Sequence, residues 1–423
     1  MNNENKLVPK FRFKEFEGNG EWEEKALGEV FTSFSGGTPS TTQKIYYGGN
    51  IPFIRSAEIN KTSTELFLTE LGLKNSSAKM VSKGDLLVAL YGANSGDVAI
   101  SKIDGAINQA ILCLKSEFSN TFIYHFLSGK KDWIVSKYIQ GGQGNLSGEI
   151  VKSISVLFPT TQEQQKIAAC LSSLDEVIAG ESQKLELLKE HKKGLLQNLF
   201  PQDGETVPKL RFKEFVGNWK NVQLGSLIEI KGRIGYRGYT TNDIVEKGQG
   251  AITFSPSNID DNNQLNFNKA TYISWDKYFE SPEIMLQDGY TVLVKTGSSF
   301  GKAVFIKNLP GKTTINPQLV VLKPININPK FLFLLVCNSA IQRQIKETVV
   351  GGAIPTLSQE SISRFEILIP PDKNKKEQEK IADTLSSIDD LINSQSQKIE
   401  TLKLHKKGLL QGLFPPVKED SNG

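Results

Sequence analysis

The chain has 423 residues, a formal net charge of +4, and 38% hydrophobic against 23% charged residues. That balance excludes a disordered polymer, leaves room for two or three domains, and is too mildly basic for charge alone to argue a nucleic-acid partner. No apolar run approaches the ~18 residues a membrane span requires, and the opening MNNENKLVPK lacks an apolar signal core, so a cytoplasmic protein with no membrane partner is expected.

The first element is a leader, VPKFRFKEF at residues 8–16. Short apolar runs bounded by Gly, Asn, Ser and Pro follow: IPFIRSAEI from Ile51, DLLVALYG from Asp85 and AILCLK from Ala110. These read as strands. TFIYHFLSG from Thr121 reads as a helical stretch. Three polar loops interrupt the strands. SFSGGTPSTTQK offers Thr38, Ser40, Thr41 and Lys44; IRSAEIN offers Arg55, Ser56 and Asn60; YGANSG offers Tyr91, Asn94 and Ser95.

Next comes a heptad. Ile167, Leu171, Leu174, Ile178, Leu185, Leu188, Leu195 and Leu199 fall on alternating steps of four and three, with polar exceptions at Glu181 and Lys192. Such a seam predicts a long helix of about 35 residues, ~50 Å at 1.5 Å per residue. Pro159 precedes it and Pro201 follows it, as proline cannot continue a helix interior. The helix ends HKKGLLQNLF.

Then the chain starts again. VPKLRFKEF at 207–215 repeats the leader with one change, Leu210 for Phe11. KGRIGYRGYT sets Lys231, Arg233 and Arg237 among glycines with Tyr236 and Tyr239 interleaved; KTGSSFGK offers Lys295, Thr296, Ser298, Ser299 and Lys302. TVLVKTG from Thr291 and QLVVLK from Gln318 read as strands, and KFLFLLVCNSAIQRQI from Lys330 as a helical stretch. A second heptad closes the repeat with Ile381, Leu385, Ile388, Ile392, Ile399, Leu402, Leu409 and Leu413, and its exceptions are Gln395 and Lys406. Pro370 and Pro415 bound it. It ends HKKGLLQGLF, differing from the first copy only in Gly412 for Asn198.

The division expected is 1–161, a helix at 162–203, a second globular part at 204–374, a helix at 375–415 and a tail at 416–423. Each globular part is mixed α and β. The two heptads are expected to pair antiparallel, because a two-fold relation between copies makes them so; packing of each helix on its own globular part is the alternative. Gly194 and Gly408 recur near the helix ends and suggest close helix approach or a local break. Asp389-Asp390 reads as a solvated face. Between the globular parts LYGANSGDVAI matches KTGSSFGKAVFI, INQAILCL matches INPQLVVL, and GGQGNLSGE matches GGAIPTLSQE. Glycines and core positions agree there while surrounding residues differ. The helices therefore do one job twice, and the globular parts do two versions of a job.

Catalytic patterns are missing. There is no GxxxxGK[ST], NPPY or DPPY, HExxH or GxSxG. Cys113, Cys170 and Cys337 form no CxxC pair, and His125, His191 and His405 are too dispersed for a metal site. His191 and His405 hold equivalent places and suggest a structural or interface role. No catalytic, metal or cofactor residue is expected. The polar loops suit nucleic acid: Gly allows close backbone approach to phosphate, Arg can contact guanine O6 and N7, Asn can pair with adenine, and Lys adds a point charge.

Taken in order, these pieces resemble the specificity subunits of type I restriction-modification systems (the HsdS family) over nearly the whole chain. The resemblance rests on the leader followed by Trp219, Leu224 and Gly225, on SGGTPS at Ser35, on IPFIRSAEI, on EQQKIA at Glu163 and EQEKIA at Glu377, and on the two HKKGLLQ ends. It implies two target recognition domains, each reading half of a split site in double-stranded DNA, joined by paired spacer helices. It also implies two methyltransferase subunits docked on the chain, which bind S-adenosylmethionine, and motor-nuclease subunits that use ATP. Two other readings stay open: a recognition-and-scaffold module of another DNA-modifying system, and a fragment of a self-contained restriction-methyltransferase.

Overall fold

The computed structural model describes residues 7–116, 119–138, 145–260, 263–268, 270–348, 356–371, 373 and 375–415. The paired glycines at 141–142 and 351–352 and the tail at 416–423 lie outside that set. Two compact units emerge, Met1–Lys184 with Gln395–Gly423, and Leu185–Ser394. Their boundaries cut through both long helices, so each unit holds one globular part and pieces of both helices.

The first unit opens with an antiparallel ribbon that ties the start of the globular part to its end, Glu23–Ala26 against Ser155–Phe158. An antiparallel sheet pairs Thr32–Ser35 with Ile111–Lys115, and that strand with Leu86–Ala89. Leu86–Ala89 then pairs with Val98–Ile100. A second sheet is mixed: Tyr47–Ile54 runs parallel to Gly105–Ile107 and antiparallel to Phe67–Leu68, and Lys79–Val81 pairs with Gly105–Ile107. The strands are short and apolar because both faces are covered. Leu87, Ala89, Ile111 and Cys113 pack toward Ile54 and Ile107, while Leu86, Val88, Leu112 and Leu114 pack toward the helix Asn120–Tyr138.

The second unit repeats the ribbon, Lys220–Gln223 against Glu366–Ile369. It also repeats the first sheet, with Ile228–Gly232, Leu319–Pro324, Thr291–Val294 and Ala303–Phe305 in that order. Its other sheet keeps the parallel pair, Ala251–Phe254 with Thr313–Ile315, and an antiparallel strand beside it, Thr271–Ile273, but adds Ile244–Val245 beyond that strand, and among the described residues no strand stands where Lys79–Val81 does in the first unit. Both units are therefore mixed α and β, and this second sheet is where they part. The helical stretch from Lys330 is two helices, Pro329–Cys337 and Ser339–Glu347, not one. Asn338 separates them in an extended conformation, and its side chain accepts from the Ala340 N–H as an N-cap.

Thr161–Asn198 and Lys376–Leu413 are continuous helices of 38 residues each. Neither early alternative describes them alone, for each does three things along its length. Its start packs on the preceding globular part: Ile167, Ala168 and Leu171 join the first core, and Ile381, Ala382 and Leu385 the second. Its end packs on the globular part of the other copy. Phe414 lies 5.2 Å from Phe122 and 5.6 Å from Phe126 by ring centroids, and Phe200 lies 5.4 Å from Phe331 and 5.9 Å from Trp219. Burying one such Phe is worth roughly 1.5–3 kcal/mol, which accounts for the Leu-Phe that ends both copies of HKKGLLQ. The stretches between pair antiparallel as a coiled coil, and every seam residue is buried or half-buried.

The polar exceptions in the seam also face inward. In the first unit Gln395 Nε2 donates to Glu181 Oε2 at 2.5 Å, and Lys398 Nζ donates to Glu181 Oε1 at 2.5 Å. Those bonds, Gln395 first, hold the Glu181 carboxyl below the usual range. Lys406 Nζ meets Asp175 at 2.5 Å in the first unit, and Lys192 Nζ meets Asp389 at 2.6 Å in the second. These are one ion pair made twice, since the spacing from His191 to His405 carries Lys192 onto Lys406 and Asp175 onto Asp389. Asp389 is thus a seam partner, and only Asp390 stays exposed. Gly194 and Gly408 make neither a break nor a close approach: a Cβ on either would meet nothing within 4 Å. His191 and His405 are exposed.

Candidate nucleic-acid interface

The leaders, which sequence motifs did not assign a task, lock each long helix to its unit. Glu163 and Glu377, near the two helix starts, are 0% and 1% exposed. Such carboxylates need partners. Arg12 supplies Nε and Nη2 to Glu163, both at 2.8 Å, and Arg211 does the same for Glu377 at 2.8 and 2.9 Å. Each arginine also donates to leader carbonyls, Gly20 and Asn19 for Arg12, and Gly217 and Val216 for Arg211. Lys166 pairs with Glu15 and Lys380 with Glu214 outside these clamps. The two arginine clamps are thus built alike.

The matched scaffold sends the polar loops to one end of each antiparallel sheet. In the first unit Ser35 pairs with Leu112 and Ala89 with Ile111. The residues that follow Ser35 and Ala89 and those that precede Ile111 must then lie together. Thr38 Oγ1 donates to Gln109 Oε1 at 2.6 Å across this end, and the turn Ser56–Glu58 touches the turn Gly92–Asn94. Gly92 and Gly96 sit at φ +82° and +85°, a backbone that favours glycine. Thr38, Ser40, Thr41, Lys44, Asn60 and Tyr91 are exposed, and Arg55, Ser56 and Asn94 are half-buried. Arg55 is already engaged, through Nε to Glu58 at 3.0 Å and Nη2 to Glu65 at 2.5 Å. These carboxylates raise its pKa further, Glu58 first.

In the second unit Gly232 pairs with Val320 and Val294 with Leu319, so residues 233–243 and 295–302 gather in the same way. Gly297 and Gly301 take φ +105° and +81°, the counterparts of Gly92 and Gly96. The bond from Leu357 N to Lys295 O at 2.9 Å matches that from Leu146 N to Leu90 O at 2.8 Å. Lys295 is half-buried, and burial lowers its pKa. Ser298 is exposed; Thr296, Ser299, Lys302, Lys231, Arg237 and Tyr239 are half-buried. Lys231 meets Glu229 at 3.1 Å, and Arg237 donates to the Glu280 carbonyl at 3.1 Å. The Tyr236 side chain lies outside the described residues.

Two of the residues expected to contact DNA turn inward in the structure. Ser95 is buried; its hydroxyl donates to the Leu90 carbonyl at 2.9 Å and accepts from Leu146 N at 3.3 Å, tying the hairpin to the loop beneath it. Arg233 is 5% exposed. It donates to the Ile315 carbonyl, Thr314 Oγ1 and the Arg237 carbonyl at 3.0–3.2 Å, with Tyr239 5.7 Å from its guanidinium. A basic residue among glycines and tyrosines looks the same in sequence whether its fork turns out to a phosphate or in to a carbonyl. Gln109 and Gln318 also lie at these sheet ends. They stand just before the central strands Ile111–Lys115 and Leu319–Pro324.

Among the described residues there is no cluster of three or more His, Cys, Asp or Glu able to hold a metal, and no helix long and apolar enough to cross a membrane. Residues 19–190 and 217–404 match the type I restriction modification DNA specificity domain, once for each copy. The chain belongs to that family. It is the DNA-specificity subunit of a type I restriction-modification system, a recognition component that is not itself catalytic. Among curated relatives, the MjaVIII specificity subunit of Methanocaldococcus jannaschii is 20% identical over 416 residues, covering 95% of both chains. The MjaIX specificity subunit of the same organism is 26% identical over 422 residues, covering 93% of this chain and 92% of that one. The S subunit of M. genitalium shares the fold at TM-score 0.61 and 15% identity, over 97% of this chain and 100% of that one. A chain solved in work on type I complex assembly and conformational transition aligns at TM-score 0.55 and 15% identity, over 92% of this chain and 96% of that one.

Proposed function

We propose that each specificity unit reads one half of a bipartite DNA target through the loops gathered at its sheet end. The paired helices fix the gap between the half-sites and dock two methyltransferase subunits, which motor-nuclease subunits then join. One observation carries this reading: the two units share the arginine clamps, the glycine hairpins and the Lys–Asp seam pairs, while the residues at the sheet ends differ. Lys295 stands where Leu90 does, and the sheet beside them is built differently. Like scaffolds with unlike loops favour an asymmetric target over a palindrome.

The division of labour follows from charge and geometry. Exposed Lys44 and half-buried Lys295 and Lys302 suit phosphates, which position a protein without reading sequence. Arg55, Arg237, Asn60 and Asn94 have the forks and amides that distinguish bases. Arg55 must release Glu65 to do so, which makes its contact an exchange of one ion pair for another. DNA presents the same face every ~34 Å, so helix length limits the spacers that work.

The test is a methylation map of DNA from cells carrying the assembled system. Inserting one helical turn in both long helices should change the spacer and leave both half-sites intact; an unchanged spacer rejects the ruler. Arg55→Ala should relax one half-site and Arg237→Ala the other. Equal loss at both halves from either change rejects separate reading.

A further inference from the structure

Between the two copies, the leader and the HKKGLLQ end each differ at a single position, Phe11 against Leu210 and Asn198 against Gly412. The structure brings those two positions together. In the first unit Phe11 N donates to the Gly412 carbonyl at 2.7 Å; in the second, Leu210 N donates to the Asn198 carbonyl at 2.8 Å. Both bonds join the leader of one copy to the helix end of the other. A Cβ on Gly412 would lie 2.0 Å from Phe11 Cδ2 and 2.4 Å from Cε2, so the ring occupies the space that any side chain there needs. In the second unit the Asn198 side chain folds back and Nδ2 donates to the Gly194 carbonyl at 2.7 Å, and Leu210 presents no ring against it.

We propose that these two positions key the joint, so that the first leader accepts the Gly412 helix end of the second half and is refused by the Asn198 helix end of a first half from a second copy. The pairs that meet within one chain are Phe with Gly and Leu with Asn. Joining the first half to another first half would set Phe11 against Asn198, where the ring and the Asn198 Cβ compete for one volume. Joining two second halves would set Leu210 against Gly412, a pairing without a clash but with an unfilled face. Sterics at one contact thus disfavour joining two first halves, although the surrounding sequence is the same in both.

The experiment is amide exchange on the full chain, followed at Phe11 and Leu210, whose N–H groups make the joint bonds. Leu210→Phe recreates the refused pairing and should speed exchange at Leu210's position by ~10-fold or more while leaving Phe11 unchanged. Adding Asn198→Gly should bring it back to within about 2-fold of the wild type. Gly412→Asn should likewise expose Phe11, and adding Phe11→Leu should restore it. Loss of helix propensity cannot account for the Gly412→Asn effect, since Asn is the better helix former of the two. Unchanged exchange in Leu210→Phe and Gly412→Asn overturns the proposal. So does a loss that the second substitution fails to repair, which would mean general damage at the helix end.

Discussion

The arginine clamps give the sharpest expectation about stability. Arg12→Ala leaves Glu163 at 0% exposure with its bidentate partner gone. Removing one side of a buried ion pair costs about 3–5 kcal/mol, mostly from the stranded charge. Arg211→Ala should cost less. In the second unit Trp219 Nε1 donates to Glu377 Oε1 at 3.3 Å, so that carboxylate keeps a donor. The corresponding Trp22 Nε1 in the first unit is buried with no hydrogen-bond partner. A hydrogen bond to a charged group contributes about 1.5–3 kcal/mol, and at 3.3 Å the lower end applies. The expected cost of Arg211→Ala is therefore ~1.5–3.5 kcal/mol. Against a typical domain stability of about 5–15 kcal/mol, either change is large. Amide exchange resolved on peptides from each unit separates the losses, as each unit reports its own opening. Adding Glu163→Gln to Arg12→Ala should recover part of the loss by removing the stranded charge. Costs below ~1 kcal/mol in both units, or a greater cost for Arg211→Ala, would refute the reasoning from buried charge.

Acid should weaken the first unit through His125. Its ring is fully buried with Nε2 3.1 Å from Ser172 Oγ, and burial, then Lys406, push its pKa down to about 4. The unfolded value is ~6.5, so the unfolded chain takes up the proton first. Stability is full above ~6.5 and falls as pH drops toward 4, by up to ~1.4 kcal/mol per unit. His125→Leu, the residue that stands there in the second copy as Leu334, should flatten that window in a pH series of urea melts. Lys406→Ala should shrink the loss and end it at higher pH, because Asp175 then acts on the imidazolium alone and the folded pKa rises toward the unfolded one. In the coiled coil, Lys192→Ala and Lys406→Ala should each cost about 1 kcal/mol, measured as opening of their own units near neutral pH; a several-fold difference would argue against equivalent pairs. Lys295→Ala should weaken DNA binding by the assembled complex on all sequences and reduce its salt slope by about 1. Loss confined to one base position would instead mark Lys295 as a reader.

The seam shows how far a pattern reaches. Its heptad was legible because burial on one side of a helix leaves a period in the sequence, and the polar exceptions were visible at the same register. Their partners were not. Asp175 and Asp389 flank the stripe, and only an antiparallel neighbour decides that each meets a lysine rather than water. The helical stretch from Lys330 read as one piece because Asn is tolerated in helices and also caps them; the following Ala340 N–H chose the cap. The recognition loops were found as a set, since Gly-rich polar segments between strands are conspicuous. Single members could not be sorted, because Ser95 and Arg233 satisfy buried carbonyls with the same atoms they would offer to DNA.

By itself the sequence determined the duplication, the two long helices and the mixed globular parts, because each leaves a periodic or repeated trace along one chain. Only the tertiary structure decided that the ends of the long helices are finished by the opposite copy, that the leaders are arginine clamps, and which polar side chains face outward. Those outcomes depend on groups far apart in the chain competing for one buried volume or one hydrogen bond, and a linear pattern carries no record of that competition.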